Sequence, residues 1–385
     1  MDQLELLSII SQGETSKVQF KQTLDSRDSV AAEIIAMSNS GGGIILFGVE
    51  DKTGVIIGLS YEQIQIIGSD LGNIANDSIK PQVYILTEVV SVGDDSKRIL
   101  VVHVKEGIAK PYKDRNGAIW VKQSCDKRRL TDNNEIIRLF QQSGLVYADE
   151  MIVLGTSSDD IDETKINEYL EKIGGSEIKL QNEVLYKNLN ILNNSNLTLG
   201  GLLFFGKNPQ RYKPAFCIKA VAYFGNELEG VAYRDSEDIV GTIPEMFKKG
   251  MSFLKRNLHH VQNGQDFNSI GKLEISEISL EELLQNALTH RDYSKNSPIN
   301  LLVFDDRVEI ISPGSLPNSL TIENIKMGNA VVRNNLIVSF ASKIMPYRGL
   351  GSGIRRALKY SSNLELIDDK EAEKFSAIIR RAENE

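Results

Sequence analysis

The stretch "EELLQNALTHRDY" (residues 281–293) decides how the C-terminal half of this chain is read. Leu283, Leu284, Ala287 and Leu288 fall on one side of a helix, the spacing that holds a helix against a core. Glu282, Asn286 and His290 recur every four residues, so they stack on successive turns of another face. An acid, an amide and an imidazole in one row suit a polar ligand, but an ordinary solvated face has the same look. The segments C-terminal to the helix discriminate between the two.

"LLVFDDRVEIISPG" (301–314) reads as a strand pair closed by a sharp Pro-Gly turn. "RGLGSGI" (348–354) then places three alternating glycines directly before a helix, where bare backbone N–H groups and the helix dipole favour an anion. By contrast, "GLLFFGKN" (201–208) only imitates a phosphate-binding loop: its middle is apolar and Asn208 stands where a hydroxyl belongs. It is expected to form a strand.

The order of acid–amide helix, strand pair, Pro-Gly turn, variable loop and glycine box resembles the GHKL, or Bergerat, fold of gyrase, the chaperone Hsp ninety and histidine kinases. That resemblance implies ATP and Mg²⁺ as cofactors. Asn286 would hold the metal, Glu282 would act as general base on the attacking water, and Gly349, Gly351 and Gly353 would line the phosphates. Ser312 and Gly314 would border the adenine pocket, and residues 315–347 would form a lid. His290 either orients the site or caps the helix. One departure is plain: the superfamily usually carries Asp-X-Gly at the adenine turn, where this chain has Ser312-Pro313-Gly314.

Residues 1–145 alternate strands and helices, among them "KVQFKQTL" (17–24), "SVAAEIIAMSN" (29–39, with Ser29 as cap) and "GGGIILFGVED" (41–51). "GETSKVQFKQTL", "EIIAMSNSGGGIILFGVED" and "GVIIGLS" resemble the AlbA-type domain of Schlafen proteins, whose members bind nucleic acid and sometimes cut RNA. The resemblance implies a carboxylate cluster for a divalent metal, drawn here from Glu14 and Asp51. Gln19 stands where a second glutamate belongs, which weakens a nuclease. Two exposed acids at strand ends explain Glu14 and Asp51 equally well. "VKQSCDKRRL" (121–130) is the best basic strip, so Lys21, Lys122, Lys127, Arg128 and Arg129 are the expected nucleic-acid face. Trp120 either stacks on a base or packs in the core.

With 385 residues, more than one domain is expected. The polar tract "GTSSDDIDETK" (155–165) suggests a hinge. The expected fold class is α+β: an AlbA-like domain (1–150), an α+β connecting domain (151–235) and a GHKL-type α/β sandwich (236–385). The whole resembles bacterial proteins that join these parts and are described as transcriptional regulators or ATP-binding proteins. "LTLGGLLFFGKNPQRYKPAFCIKAVAYFG" (197–225) is similar to their connecting domain. The winged helix that many of them carry after the glycine box is expected to lie outside this chain, which ends at Glu385.

Two distant cysteines exclude a disulfide scaffold and fit a reducing cytoplasm. "MDQLELLSII" is not the start of a signal peptide, and no apolar run is long enough for a membrane span. A net charge of −8 excludes a surface coated with phosphate contacts. The leading expectation is an ATP-responsive nucleic-acid-binding protein, a transcriptional regulator or phage-defence component, assembled as a homo-oligomer with a dimer favoured. The alternatives are an ATP-controlled nuclease acting through Glu14 and Asp51, and a scaffold with a vestigial ATP site.

Overall fold

The computed structural model describes residues 1–51, 53–93, 97–175, 181–228, 232–261, 271–317, 320–346 and 351–381. The chain divides into two compact units, Met1–Leu145 and Val146–Glu385. The α+β organisation expected from the sequence is present in both.

In the first unit a four-stranded sheet has the order Val18–Lys21, Gly43–Phe47, Lys97–Val104, Ile85–Val92, parallel in its first pair and antiparallel in the others. The alternation along each strand sorts side chains to opposite faces. Ile45, Phe47, Leu100 and Val102 pack with helices Arg27–Asn39 and Tyr61–Asn73, whereas Leu46, Ile99 and Val101 pack with Leu6 and Phe20. A second sheet carries the hairpin Ile119–Gln123/Asp126–Leu130.

The first of those helices is capped by Ser26, whose side chain accepts from the Ser29 N–H at 3.3 Å. This corrects Ser29 as the cap: Ser29 lies within the first turn and is the donor. At the helix's other end Asn39 is buried. Its amide donates to the carbonyls of Tyr112 and Trp120, both at 2.9 Å, and accepts from the Tyr112 N–H at 2.8 Å. Asn39 therefore clamps the helix to the second sheet. Trp120 leans on the helical core and donates its indole N–H to Asp114.

In the second unit a six-stranded sheet has the order Tyr233–Ile239, Ile218–Tyr223, Ile299–Val303, Arg307–Pro313, Lys374–Arg380, Leu364–Asp369. Only the pairing of Ile218–Tyr223 with Ile299–Val303 is parallel. Helices Ile243–Asn257 and Glu277–His290 contribute Phe253, Leu254, Leu280 and Leu284 to the core.

Two expectations fail here. "LGGLLFF" is the helix Leu199–Phe205, not a strand. All seven residues are buried, so no polar period marks them as helix or strand. The usable signal was Thr198, whose hydroxyl caps the helix by accepting from the Gly201 N–H at 3.0 Å. The expected lid is also too long. Residues Asn335–Ile344 form a helix whose Phe340 packs against Tyr169, Phe204 and Phe205, so this part of 315–347 belongs to the core.

Asn39→Ala leaves the Tyr112 N–H and two carbonyls without their amide partner. We expect a loss of about 3 kcal/mol, measured by urea unfolding followed through the emission of Trp120, the chain's sole tryptophan. A loss below about 1 kcal/mol would contradict the clamp.

Candidate functional site

The second unit encloses a cavity of ≈ 140 Å³. Glu282, Asn286 and His290 line it along helix Glu277–His290, together with Ser312, Gly314, Gly351 and Gly353. Gly349 lies outside the described residues. From Glu282 to His290 the helix rises about 12 Å, so the row of polar groups spans two ends of the cavity.

The first end is built by close packing. A Cβ on Gly353 would lie 2.4 Å from Glu282 Oε2 and 3.4 Å from Asn286 Nδ2, so a larger residue there would displace the Glu282 carboxylate. Helix Gly353–Tyr360 begins at that point, and its N-cap Ser352 makes no side-chain capping bond. Arg356 Nη2 meets Glu282 Oε1 at 2.5 Å. This pair engages one of the carboxylate's oxygens, which opposes an unassisted general-base role.

The second end forms where the helix stops. Arg291 is buried, lies over the rings of Phe216 and Tyr293, and donates to the carbonyls of Lys295 and Ser297. The Asp292 N–H donates to Pro313 O at 2.8 Å. These contacts set the Ser312–Gly314 turn against the helix, and Gly314 adopts φ +96°. His290 and Arg333 share this end. Burial, aided by the Arg333 charge, pushes the His290 imidazole down to about 4, so it is neutral near pH 7. Burial also pushes the Arg333 guanidinium below its ordinary value. Between the ends, Leu283, Ala287, Ile310, Leu316 and Phe375 provide apolar walls.

In the first unit the expected metal cluster is occupied by other partners. Glu14 accepts from the Gln19 amide and from the Phe20 N–H. Gln19 Oε1 accepts from Lys122 Nζ at 3.1 Å, and the same ammonium bonds Glu33 at 2.6 Å. Lys127 also pairs with Glu33, Arg128 forms a two-pronged pair with Glu135, and Lys21 pairs with Asp51 at 2.6 Å. Among the described residues no three His, Cys, Asp or Glu side chains converge on a metal position.

Residues 14–131 match the family described as "Schlafen, AlbA_2", and residues 296–376 match "Putative ATP-dependent DNA helicase recG C-terminal". The chain joins a Schlafen AlbA_2 domain to an ATPase-like domain. Residues 137–219 match a domain of unknown function, DUF8451. Among solved structures, the DIP2311 protein from Corynebacterium diphtheriae is 18% identical with a TM-score of 0.48, over 98% of this chain and 80% of that one. The N-terminal domain of a RecG-related protein from Nitrosomonas europaea is 23% identical with a TM-score of 0.26, over 34% of this chain and 96% of that one. No curated protein matches. Among the described residues no helix is long and apolar enough to cross a membrane.

The AlbA_2 domain corrects part of the expected basic face. The Lys122 side chain is only 2% exposed and serves Glu33 inside the domain, so it is no phosphate contact. Lys21, Lys127 and Arg128 reach the surface already paired, and Arg129 is exposed. In the ATPase-like domain sequence reading missed Arg333 and Arg356. Arg356 had a weak signal, three residues into the helix after the glycine box. Arg333 had none, because its place depends on the fold of the loop that carries it.

The His290 shift predicts a pH dependence. Its folded value lies below its unfolded one, so stability is full above about pH 6.5 and is lost as pH falls toward 4. Asp149, raised to about 6 by burial, acts in the opposite direction over part of that window. It cancels when parent and His290→Gln are compared. Between pH 7.5 and pH 5 the parent should lose about 2 kcal/mol relative to His290→Gln, read by urea unfolding at each pH. An unchanged difference would contradict a neutral, enclosed imidazole.

Proposed function

We propose that this chain is a nucleotide-responsive nucleic-acid-binding protein, acting in the cytoplasm as a homodimer in transcriptional control or phage defence. The carrying observation is that Glu282, Asn286, His290, Ser312, Gly314, Gly351 and Gly353, separate in sequence, line one cavity. In this reading a purine nucleoside triphosphate, ATP in the first instance, lies with its base between the apolar walls. Its phosphates lie toward Gly351, Gly353 and the helix start. Mg²⁺ needs few protein oxygens when phosphates supply others. Asn286, beside Glu282, fits that need, and bound Mg²⁺ would neutralise phosphate charge.

Arg356 is placed to turn from Glu282 to the phosphates, and Glu282 to orient the attacking water and take its proton. Because the ion pair has to open first, the arrangement favours a binding switch over rapid turnover. Closure falls to the segment that carries helix Ile322–Lys326. Metal-dependent cleavage through Glu14 and Asp51 is disfavoured, since Glu14 is engaged by Gln19 and the Phe20 N–H and Asp51 by the Lys21 ammonium.

Isothermal titration of the full chain with Mg²⁺-ATP tests the reading. The parent should bind, and Asn286→Ala should weaken binding roughly 10-fold or more, the loss of a charge-assisted contact. No heat in the parent would support the vestigial scaffold instead. For the nucleic-acid face, Arg129→Ala should weaken binding to labelled DNA or RNA uniformly across sequences. Lys122→Ala should instead cost about 3 kcal/mol or more of stability by leaving Glu33 buried without its nearer partner. Cleavage of either nucleic acid by the parent that Asp51→Ala abolishes would reinstate the nuclease.

A further inference from the structure

Helix Asn335–Ile344 follows directly on Arg333, which lines the cavity. Its N-cap position is Asn334, with a non-helical backbone (φ −126°, ψ 84°). Asparagine suits that position because its side-chain oxygen can accept the N–H of the second or third helical residue. Here it makes no such bond. The third N–H, that of Ile337, donates instead to Asp149 Oδ2 at 2.8 Å, a partner 188 residues away in sequence. Asp149 is wholly buried in the short turn Ala148–Glu150, and its other oxygen has no hydrogen-bond partner among the described residues. The positive end of the helix offsets part of the cost of enclosing that charge.

Relieved of capping, the Asn334 amide serves elsewhere. Wholly buried, its Nδ2 donates to the carbonyls of Thr289 and Arg291, both at 2.9 Å. These belong to the carbonyls that a helix end leaves without partners, and they flank His290. In that pose Asn334 Oδ1 meets no donor among the described residues. Accepting from Ile337 would therefore require the side chain to rotate off the two carbonyls.

Resting on the nucleotide reading above, we infer that Asp149 is a positioning residue of the cavity: by holding the Ile337 N–H, it leaves the Asn334 amide on the two carbonyls that flank His290. Asp149 and Asn334 are not among the residues that line the cavity; His290 and Arg333 are, and through them the effect reaches a ligand. Without Asp149, Asn334 turns to cap its own helix, and the end of helix Glu277–His290 loses its hold.

The experiment is isothermal titration of the full chain with Mg²⁺-ATP, for the parent, Asp149→Ala, Asp149→Asn, Asn334→Ala and the double alanine variant. Circular dichroism and urea unfolding confirm that each is folded under the conditions used. Asp149→Ala and Asn334→Ala should each weaken binding about 5-fold, the scale of one lost hydrogen bond. Asp149→Asn, which keeps the acceptor, should stay within about 2-fold of the parent. The double variant should bind like Asn334→Ala alone, because Asp149 acts only through Asn334, whereas independent losses would multiply to about 25-fold. A purely structural role would lower stability and leave the affinity of the folded variants unchanged. Unchanged affinity in folded Asp149→Ala, multiplied losses in the double variant, or Asp149→Asn as weak as Asp149→Ala overturns this inference and leaves the nucleotide reading standing. Should Asp149→Ala not fold, Asn334→Ala carries the test, and unchanged affinity there removes the route. Failure of the parent to bind overturns both.

Discussion

The cavity in the ATPase-like domain exists because two helices approach very closely. Ser279 of helix Glu277–His290 is wholly buried. It donates to the Ala357 carbonyl at 3.0 Å and accepts from the Ser361 hydroxyl at 2.9 Å. One turn further along, Glu282 faces bare backbone at Gly353. Small residues at each contact bring the axes together. The start of the second helix is thereby held beside Asn286, while Arg356 is carried onto Glu282. A side chain at 353 would push the acid away from the point where the polar groups converge.

That packing also leaves the local charges engaged. Arg356 is held by Glu282, Arg291 by two rings and two carbonyls, and Arg333 by the carbonyl of Ser315. The AlbA_2 domain follows the same logic. Lys122 and Lys127 share Glu33, Arg128 grips Glu135, and Lys21 grips Asp51. A basic run in sequence has thus become largely an internal network.

How much was legible in the sequence depends on how local each signal is. The helix read in 281–293, the strand pair after it and the glycine–helix junction are patterns of neighbouring residues, and the fold keeps them, with the helix ending at His290. Leu199–Phe205 was not legible as a helix because an unbroken apolar run has no period. Lys122 looked exposed because Glu33 lies 89 residues away in sequence. The 335–344 segment looked like loop because its anchor, Phe340, depends on Phe204 and Phe205, which read as strand residues. Arg333 acquires meaning only when the Gly314 turn is folded beside it. In each case the missing information is a tertiary partner.

The central claim is that the row from Glu282 to His290 is the floor of a nucleotide site with a phosphate end and a base end. A crystal structure of the full chain with Mg²⁺ and a non-hydrolysable ATP analogue tests it most directly. Metal is expected beside Asn286, with phosphates against Gly351 and Gly353 and the base between the apolar walls. Nucleotide bound elsewhere, or lying in the cavity with its base beside Asn286 and its phosphates on Arg333, would contradict it.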